Sequence, residues 1–208
     1  MASDLIFYTN PMSRGRIARW MLEEVGCDYE TVVLGYESSM KEPAYLAVNP
    51  MGKVPAITHN GLVVTECAAI CAYLADAFPD AGLAPPVESR AEYYRWLFFA
   101  AGPVEAAAID AARGTSPTPE QSRMVGYGSL DAVVDALEAA VTGRDYIASD
   151  RFSAADLYVG SHLIWGSQFG WLPARDAFAT YTARLTDRPA YKRAQELDDA
   201  LLPKEGQG

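Results

Sequence analysis

Two short stretches of this chain carry residues suited to holding a small charged molecule: Asn49-Pro50-Met51-Gly52-Lys53-Val54-Pro55 and, one hairpin later, Thr65-Glu66-Cys67-Ala68-Ala69-Ile70. The first ends in Val-Pro ahead of an apolar run, and X-Pro bonds are the ones that adopt cis at low cost. Such a turn would expose the N–H and C=O of Val54, which can pair with an extended peptide as an added strand does. In the second stretch Glu66 and Cys67 open a helix, where unpaired N–H groups and the helix dipole favour a carboxylate. The ligand these features describe is a short acidic peptide.

Composition narrows the partners. The 208 residues suffice for one large domain or two small ones, and half are apolar, so a packed core is expected. A net charge of −10 argues against nucleic acid and against an anionic membrane surface. An anionic ligand must then be met by local positive features, which places weight on Arg14, Arg16 and Lys53. Cys27, Cys67 and Cys71 form no CxxC pair and no metal-ligand spacing. Cys67 and Cys71 lie on consecutive helical turns, a poor disulfide geometry. Reduced thiols in a cytoplasmic protein, with no metal, are expected. His59 and His162 stand apart from other ligand types and suggest no metal either. Met1-Ala2-Ser3-Asp4 has no basic leader character, and no apolar run reaches membrane-spanning length.

The elements that must position these residues follow from periodicity and breakers. Leu5-Ile6-Phe7-Tyr8 reads as a strand stopped at Asn10-Pro11. Ile17, Trp20, Met21, Leu22 and Val25 have helical spacing, and Gly26 is the C-terminal cap. Residues 29–34 read as a second strand, and Pro43-Ala44-Tyr45-Leu46 as a short helical turn. Asn60-Gly61 between two apolar runs predicts a hairpin, and residues 66–78 an amphipathic helix. Beyond the linker 79–88 strand signals vanish. Ser89 and Glu92 predict a capping box on a long helix bearing Tyr93, Trp96, Leu97, Ala100 and Val104 on one stripe. Thr118 before Pro119 predicts another helix start. Ser153 and Asp156 predict a second capping box, and Arg188-Pro189 the start of a terminal helix. The expected class is α/β plus all-α: 1–78 a βαβαββα domain, 79–88 a linker, and 89–208 an all-helical domain.

In this order and spacing, residues 49–55, 66–74 and 153–156 resemble the cytosolic glutathione transferase family, and the match runs over essentially the whole length. The resemblance is to bacterial, serine-type members, theta- or beta-like. It implies a thioredoxin-like first domain, a helical second domain, glutathione as co-substrate, and a homodimer. It carries glutathione binding onto Lys53 for the glycyl carboxylate, Val54 for the cysteinyl backbone, Glu66 for the γ-glutamyl amine and Cys67 near the γ-glutamyl carboxylate. The family usually has serine after the glutamate. A thiol is a weak donor, so the helix N–H groups must carry more of that carboxylate here.

A glutathione thiol near the ordinary cysteine pKa is mostly protonated at neutral pH, and each unit of depression needs about 1.4 kcal/mol of differential stabilisation. The loop Tyr8-Thr9-Asn10-Pro11-Met12-Ser13-Arg14 is where a thiolate donor must sit. Ser13 is the candidate, and a serine there is equally a good helix N-cap. Tyr8 and Asn10 remain alternatives: the resemblance places the donor of tyrosine-type members at the end of the first strand, and Asn10 is also a turn former. Arg14 occupies the slot of the nucleophilic cysteine in cysteine-type members, which disfavours exchange through an enzyme thiol. Met12, Trp96, Phe99 and Pro103 are candidates for the wall of a second-substrate pocket, with Trp165, Phe169 and Trp171 as possible additions; aromatic stripes on helices are more often core. The expected reaction is addition of glutathione thiolate to a small, mostly apolar electrophile. Glutathione-dependent peroxide or disulfide reduction, or a non-catalytic glutathione-binding regulator, are the alternatives.

Overall fold

The computed structural model describes residues 4–202; Met1-Ala2-Ser3, part of the expected non-leader N-terminus, lie outside the described residues. The chain forms two compact units, one of residues 1–81 with 188–208 and the other of residues 82–187.

The first unit is built on strands β1 (Leu5–Thr9), β2 (Glu30–Val33), β3 (Ala56–His59) and β4 (Leu62–Thr65) in the order β2-β1-β3-β4. β1 and β2 are parallel and joined through helix α1 (Gly15–Val25), and the other pairs are antiparallel. Along β1, Leu5, Phe7 and Thr9 are buried and alternate with half-buried Ile6 and Tyr8, so the strand presents two faces. Tyr8 joins Leu34, Met40, Tyr45 and Ala56 in a cluster that includes the one-turn helix α2 (Pro43–Leu46). Gly26 caps α1 at φ 70°, and Asn60 and Gly61 at φ 51° and 78° make the hairpin. Helix α3 (Cys67–Ala77) completes the βαβαββα order.

The second unit is helical: α4 (Ala91–Phe99), a π-helical turn over Ala100–Val104 containing Pro103, α5 (Glu105–Ala112), α6 (Leu130–Val141), α7 (Ala154–Phe169) and α8 (Asp176–Thr186). The stripe Tyr93, Trp96, Leu97, Ala100 and Val104 is buried as its spacing requires. The capping box at Ser153 forms. Asp156 is fully buried and accepts from Ser153 N (2.9 Å), Ser153 Oγ (2.8 Å), Ile147 N (2.7 Å) and Tyr181 Oη (2.6 Å). Burial pushes its carboxyl above the ordinary range, against the pull of these four donors.

Three expectations are corrected. Ser89 caps nothing: it ends a 3-10 turn over Val87–Ser89, α4 starts at Ala91, and Glu92 instead accepts from Trp96 Nε1 at 3.0 Å. Thr118 does cap, exchanging hydrogen bonds with Gln121, but the turn ends by Arg123. Gly126 and Gly128 follow, and α6 restarts from Ser129, whose Oγ accepts from Ala132 N at 3.1 Å. Finally, terminal helix α9 (Pro189–Asp199) packs on α1 in the first unit, not with the helices of 89–187. Its attachment is polar as well as apolar. Arg19 Nε donates to Asp198 Oδ1 at 2.7 Å with both side chains buried, and Arg188 holds Glu24 through two bonds of 2.6 and 2.7 Å. Trp20 meets Tyr191 edge-on.

Candidate functional site

Strand register gathers the singled-out residues at one end of the sheet. Tyr8 pairs with Ala56, and Ala56 with Thr65. The residues just beyond that row are Thr9 at the end of the first strand with Asn10 after it, Val54-Pro55 before the third, and Glu66 after the fourth. A bond of 3.6 Å from Cys67 Sγ to the Arg14 carbonyl then joins the start of α3 to the start of α1.

The loop before β3 is clamped from inside. Tyr45 Oη donates to the Lys53 carbonyl at 2.5 Å and Asn49 Nδ2 to the same oxygen at 2.8 Å, while Lys41 Nζ takes the Gly52 carbonyl at 2.9 Å. Lys53 is exposed, Val54 is half-buried, and the Val54–Pro55 bond is cis. Burial pushes the Tyr45 phenol up to about 12. The unfolded phenol ionises near about 10, so what Tyr45 contributes to stability is complete below that pH and is lost as pH rises through about 12. Tyr45→Phe is therefore expected to flatten the alkaline fall of stability between these pH values, and a tyrosinate absorbance titration should lose one late group.

Glu66 precedes α3 with φ 67° and ψ 117°, a conformation that non-glycine residues rarely adopt. The first paired amide of α3 is Ile70, which donates to the Glu66 carbonyl at 2.9 Å, leaving the earlier N–H groups directed out of the helix. Cys67 is buried and its thiol points to the Arg14 carbonyl. Its neighbour one turn on, Cys71, is fully buried, and the hydrogen bond its thiol gives to Cys67 together with burial holds that thiol well above the usual range.

The β1–α1 loop separates the three donor candidates. Asn10 is committed to shape: Nδ2 donates to the Leu34 carbonyl at 2.8 Å and Oδ1 accepts from Met12 N at 2.9 Å. Tyr8 lies against Tyr45, with ring centroids 5.4 Å apart. Ser13 is half-buried at the head of α1, where Oγ accepts from Gly15 N at 2.9 Å and donates to the Asn10 carbonyl at 2.7 Å. Gly15 is required beside it, since a Cβ there would run into Thr9 Oγ1. Arg14 is exposed.

The four proposed wall residues divide between the units. Met12 is 72% exposed next to Ser13. Trp96 is 5% exposed, packed edge-on against Phe99, and belongs to the core of its unit; Phe99 and Pro103 are half-buried. Trp165 is half-buried and Phe169 is exposed. His59 bonds Tyr73 through Nδ1 and stacks on Phe78, and His162 is buried in α7. Among the described residues no group of three or more His, Cys, Asp or Glu is placed to hold a metal, and no helix is long and apolar enough to cross a membrane. Sequence reading missed Tyr45, Asn49 and Lys41 as supports of the Lys53 loop; nothing in their spacing marks them.

Residues 3–76 match the family described as glutathione S-transferase, N-terminal domain. The chain is 31% identical over 191 residues to the glutathione S-transferase GstA of Escherichia coli O157:H7, covering 86% of this chain and 89% of that protein. This chain belongs to the glutathione S-transferase family. As a member it is a transferase, and its fold agrees with solved members. A glutathione S-transferase from Xylella fastidiosa matches at TM-score 0.77 and 25% identity, covering 94% of this chain and 98% of that one. A sphingomonad glutathione S-transferase complexed with glutathione matches at 0.76 and 29%, covering 93% and 98%.

Proposed function

We propose that this glutathione S-transferase binds glutathione along the end of its sheet, holds it as thiolate, and adds it to a small, mostly apolar electrophile. The observation that carries the reading is the register row Tyr8–Ala56–Thr65, which places the head of α1, the Val54–Pro55 turn and Glu66 at one sheet end. A tripeptide can be met there by backbone at Val54, by a cation at Lys53 and by a carboxylate with open helix N–H groups at Glu66 and Cys67.

Ser13 is the proposed thiolate donor. Asn10 is spent on the loop, whereas the Ser13 hydroxyl can exchange its bond to the Asn10 carbonyl for a stronger, charge-assisted one to sulfur. Oγ keeps its bond from Gly15 N–H in that exchange. Nucleophilic addition then needs no covalent enzyme intermediate, only positioning and stabilisation of the sulfur anion. Exposed Met12 beside Ser13 offers an apolar contact for the electrophile. Cytoplasmic location and a homodimer are part of the same reading, supported by family membership.

The test is the ultraviolet thiolate absorbance of bound glutathione titrated against pH. Wild type is expected to hold the thiol well below its free value, and Ser13→Ala to raise it by about one unit, the worth of one hydrogen bond to a charged group. Depression that survives Ser13→Ala moves the role to Tyr8 or Asn10. Absence of depression in wild type sinks the conjugating reading and leaves a glutathione-binding scaffold.

A further inference from the structure

Arg16 lies in the first turn of α1, and its guanidinium joins the β1–α1 loop to α9 through three hydrogen bonds. Nε donates to the Pro11 carbonyl at 2.6 Å, Nη1 to Gln195 Oε1 at 2.7 Å, and Nη2 to Asp199 Oδ1 at 2.7 Å. Pro11 sits two residues before Ser13. Gln195 and Asp199 are one turn apart on α9, 179 and 183 residues further along the chain. The other carbonyls of the loop are also held: Asn10 by Ser13, Met12 by Tyr36 Oη at 3.0 Å, Arg14 by Cys67. Arg16 is the tie that reaches the terminal helix.

We propose that Arg16 is a positioning residue which, anchored by Gln195 and Asp199, fixes the Asn10–Arg14 loop from α9 and so sets where the Ser13 hydroxyl points. The proposal rests on the reading of Ser13 as thiolate donor. A planar guanidinium holds several acceptors in fixed mutual geometry, which an ammonium on a flexible stem does not. The competing role for Arg16 is its charge alone, acting on the sulfur anion through space.

Asp199→Asn separates the two by sign. The side chain is 60% exposed, so the fold tolerates the change. The substitution loosens the anchor of Arg16 and also removes a negative charge. With a positioning role, the bound thiol pKa rises by roughly half a unit to one unit, and kcat toward an aryl halide falls about three- to tenfold at neutral pH. The dissociation constant of glutathione stays unchanged at a pH low enough to keep the bound thiol protonated, because Lys53, Val54 and Glu66 are untouched, and at neutral pH it weakens only by what the pKa shift itself requires. With a role of charge alone, loss of the acidic partner lowers the thiol pKa, and that result overturns the proposal, as does an unchanged pKa. Arg16→Lys keeps the charge and loses the fork, and is expected to follow Asp199→Asn. Ser13→Ala, measured beside them, keeps the failures distinct. A thiol unmoved by Ser13→Ala removes Ser13 as donor and the proposal with it. A thiol raised by Ser13→Ala and unmoved by Asp199→Asn overturns the role of Arg16 alone.

Discussion

Asp156→Ala is expected to destabilise the protein by roughly 4 kcal/mol or more. Four donors lose their acceptor together: the amides of Ile147 and Ser153 and the hydroxyls of Ser153 and Tyr181. Each buried donor left without a partner costs about 1–3 kcal/mol. Against a total stability of about 5–15 kcal/mol for an ordinary protein, that is a large fraction. Urea unfolding should show the loss directly, and the melting temperature should fall by about 8–16 °C. Ser153→Ala removes only the hydroxyl of the cap and is expected to cost about 1 kcal/mol. A loss below about 1 kcal/mol for Asp156→Ala would mean that water reaches these donors and that the cap is not a folding element.

Glu66→Gly is expected to weaken glutathione about 10- to 100-fold while leaving the melting temperature unchanged or higher. Loss of a charge-assisted hydrogen bond to the γ-glutamyl amine is worth about 1.5–3 kcal/mol. The backbone pulls the other way. A non-glycine residue at φ 67° carries strain of about 1–3 kcal/mol, which glycine relieves, offset in part by the greater freedom of glycine in the unfolded chain. Glu66→Ala loses the carboxylate and keeps the strain, so the pair of variants separates binding from conformation. Calorimetric titration with glutathione and a thermal melt decide it. Unchanged affinity in both variants would show that Glu66 is only a first-turn charge, and a drop in melting temperature for Glu66→Gly would show that the strain argument is wrong.

The local grammar of the chain was legible because its signals are short-range. Gly26 and Asn60-Gly61 declare their turns through backbone conformations that few residues accept. The pair Ser153 and Asp156 declares a helix start because the reciprocal bonds span three residues. The same logic failed at Ser89, which ends a 3-10 turn over Val87–Ser89 so that α4 starts behind Arg90, and at Thr118, where the cap formed but the helix did not continue into Gly126 and Gly128. Helix α6 passed unread although Gly128-Ser129 sets a breaker and a cap ahead of it, and α8 passed unread because Arg175 at its start makes no side-chain cap.

By itself the sequence determined a βαβαββα unit followed by helices, and which stretches could carry glutathione chemistry. Alternation, helical spacing and caps act within a few residues, so they can be read without coordinates. Only the tertiary structure decided that α9 returns to α1, that Tyr45 and Asn49 share the Lys53 carbonyl, and that Arg16 ties the Ser13 loop to Gln195 and Asp199. The contacts of Arg16 with α9 join residues 179 and 183 positions apart, a separation that carries no periodic signal. The α1–α9 contacts form because burying the α1 face against α9 brings the polar groups of both helices into reach, a consequence of packing that no local pattern encodes.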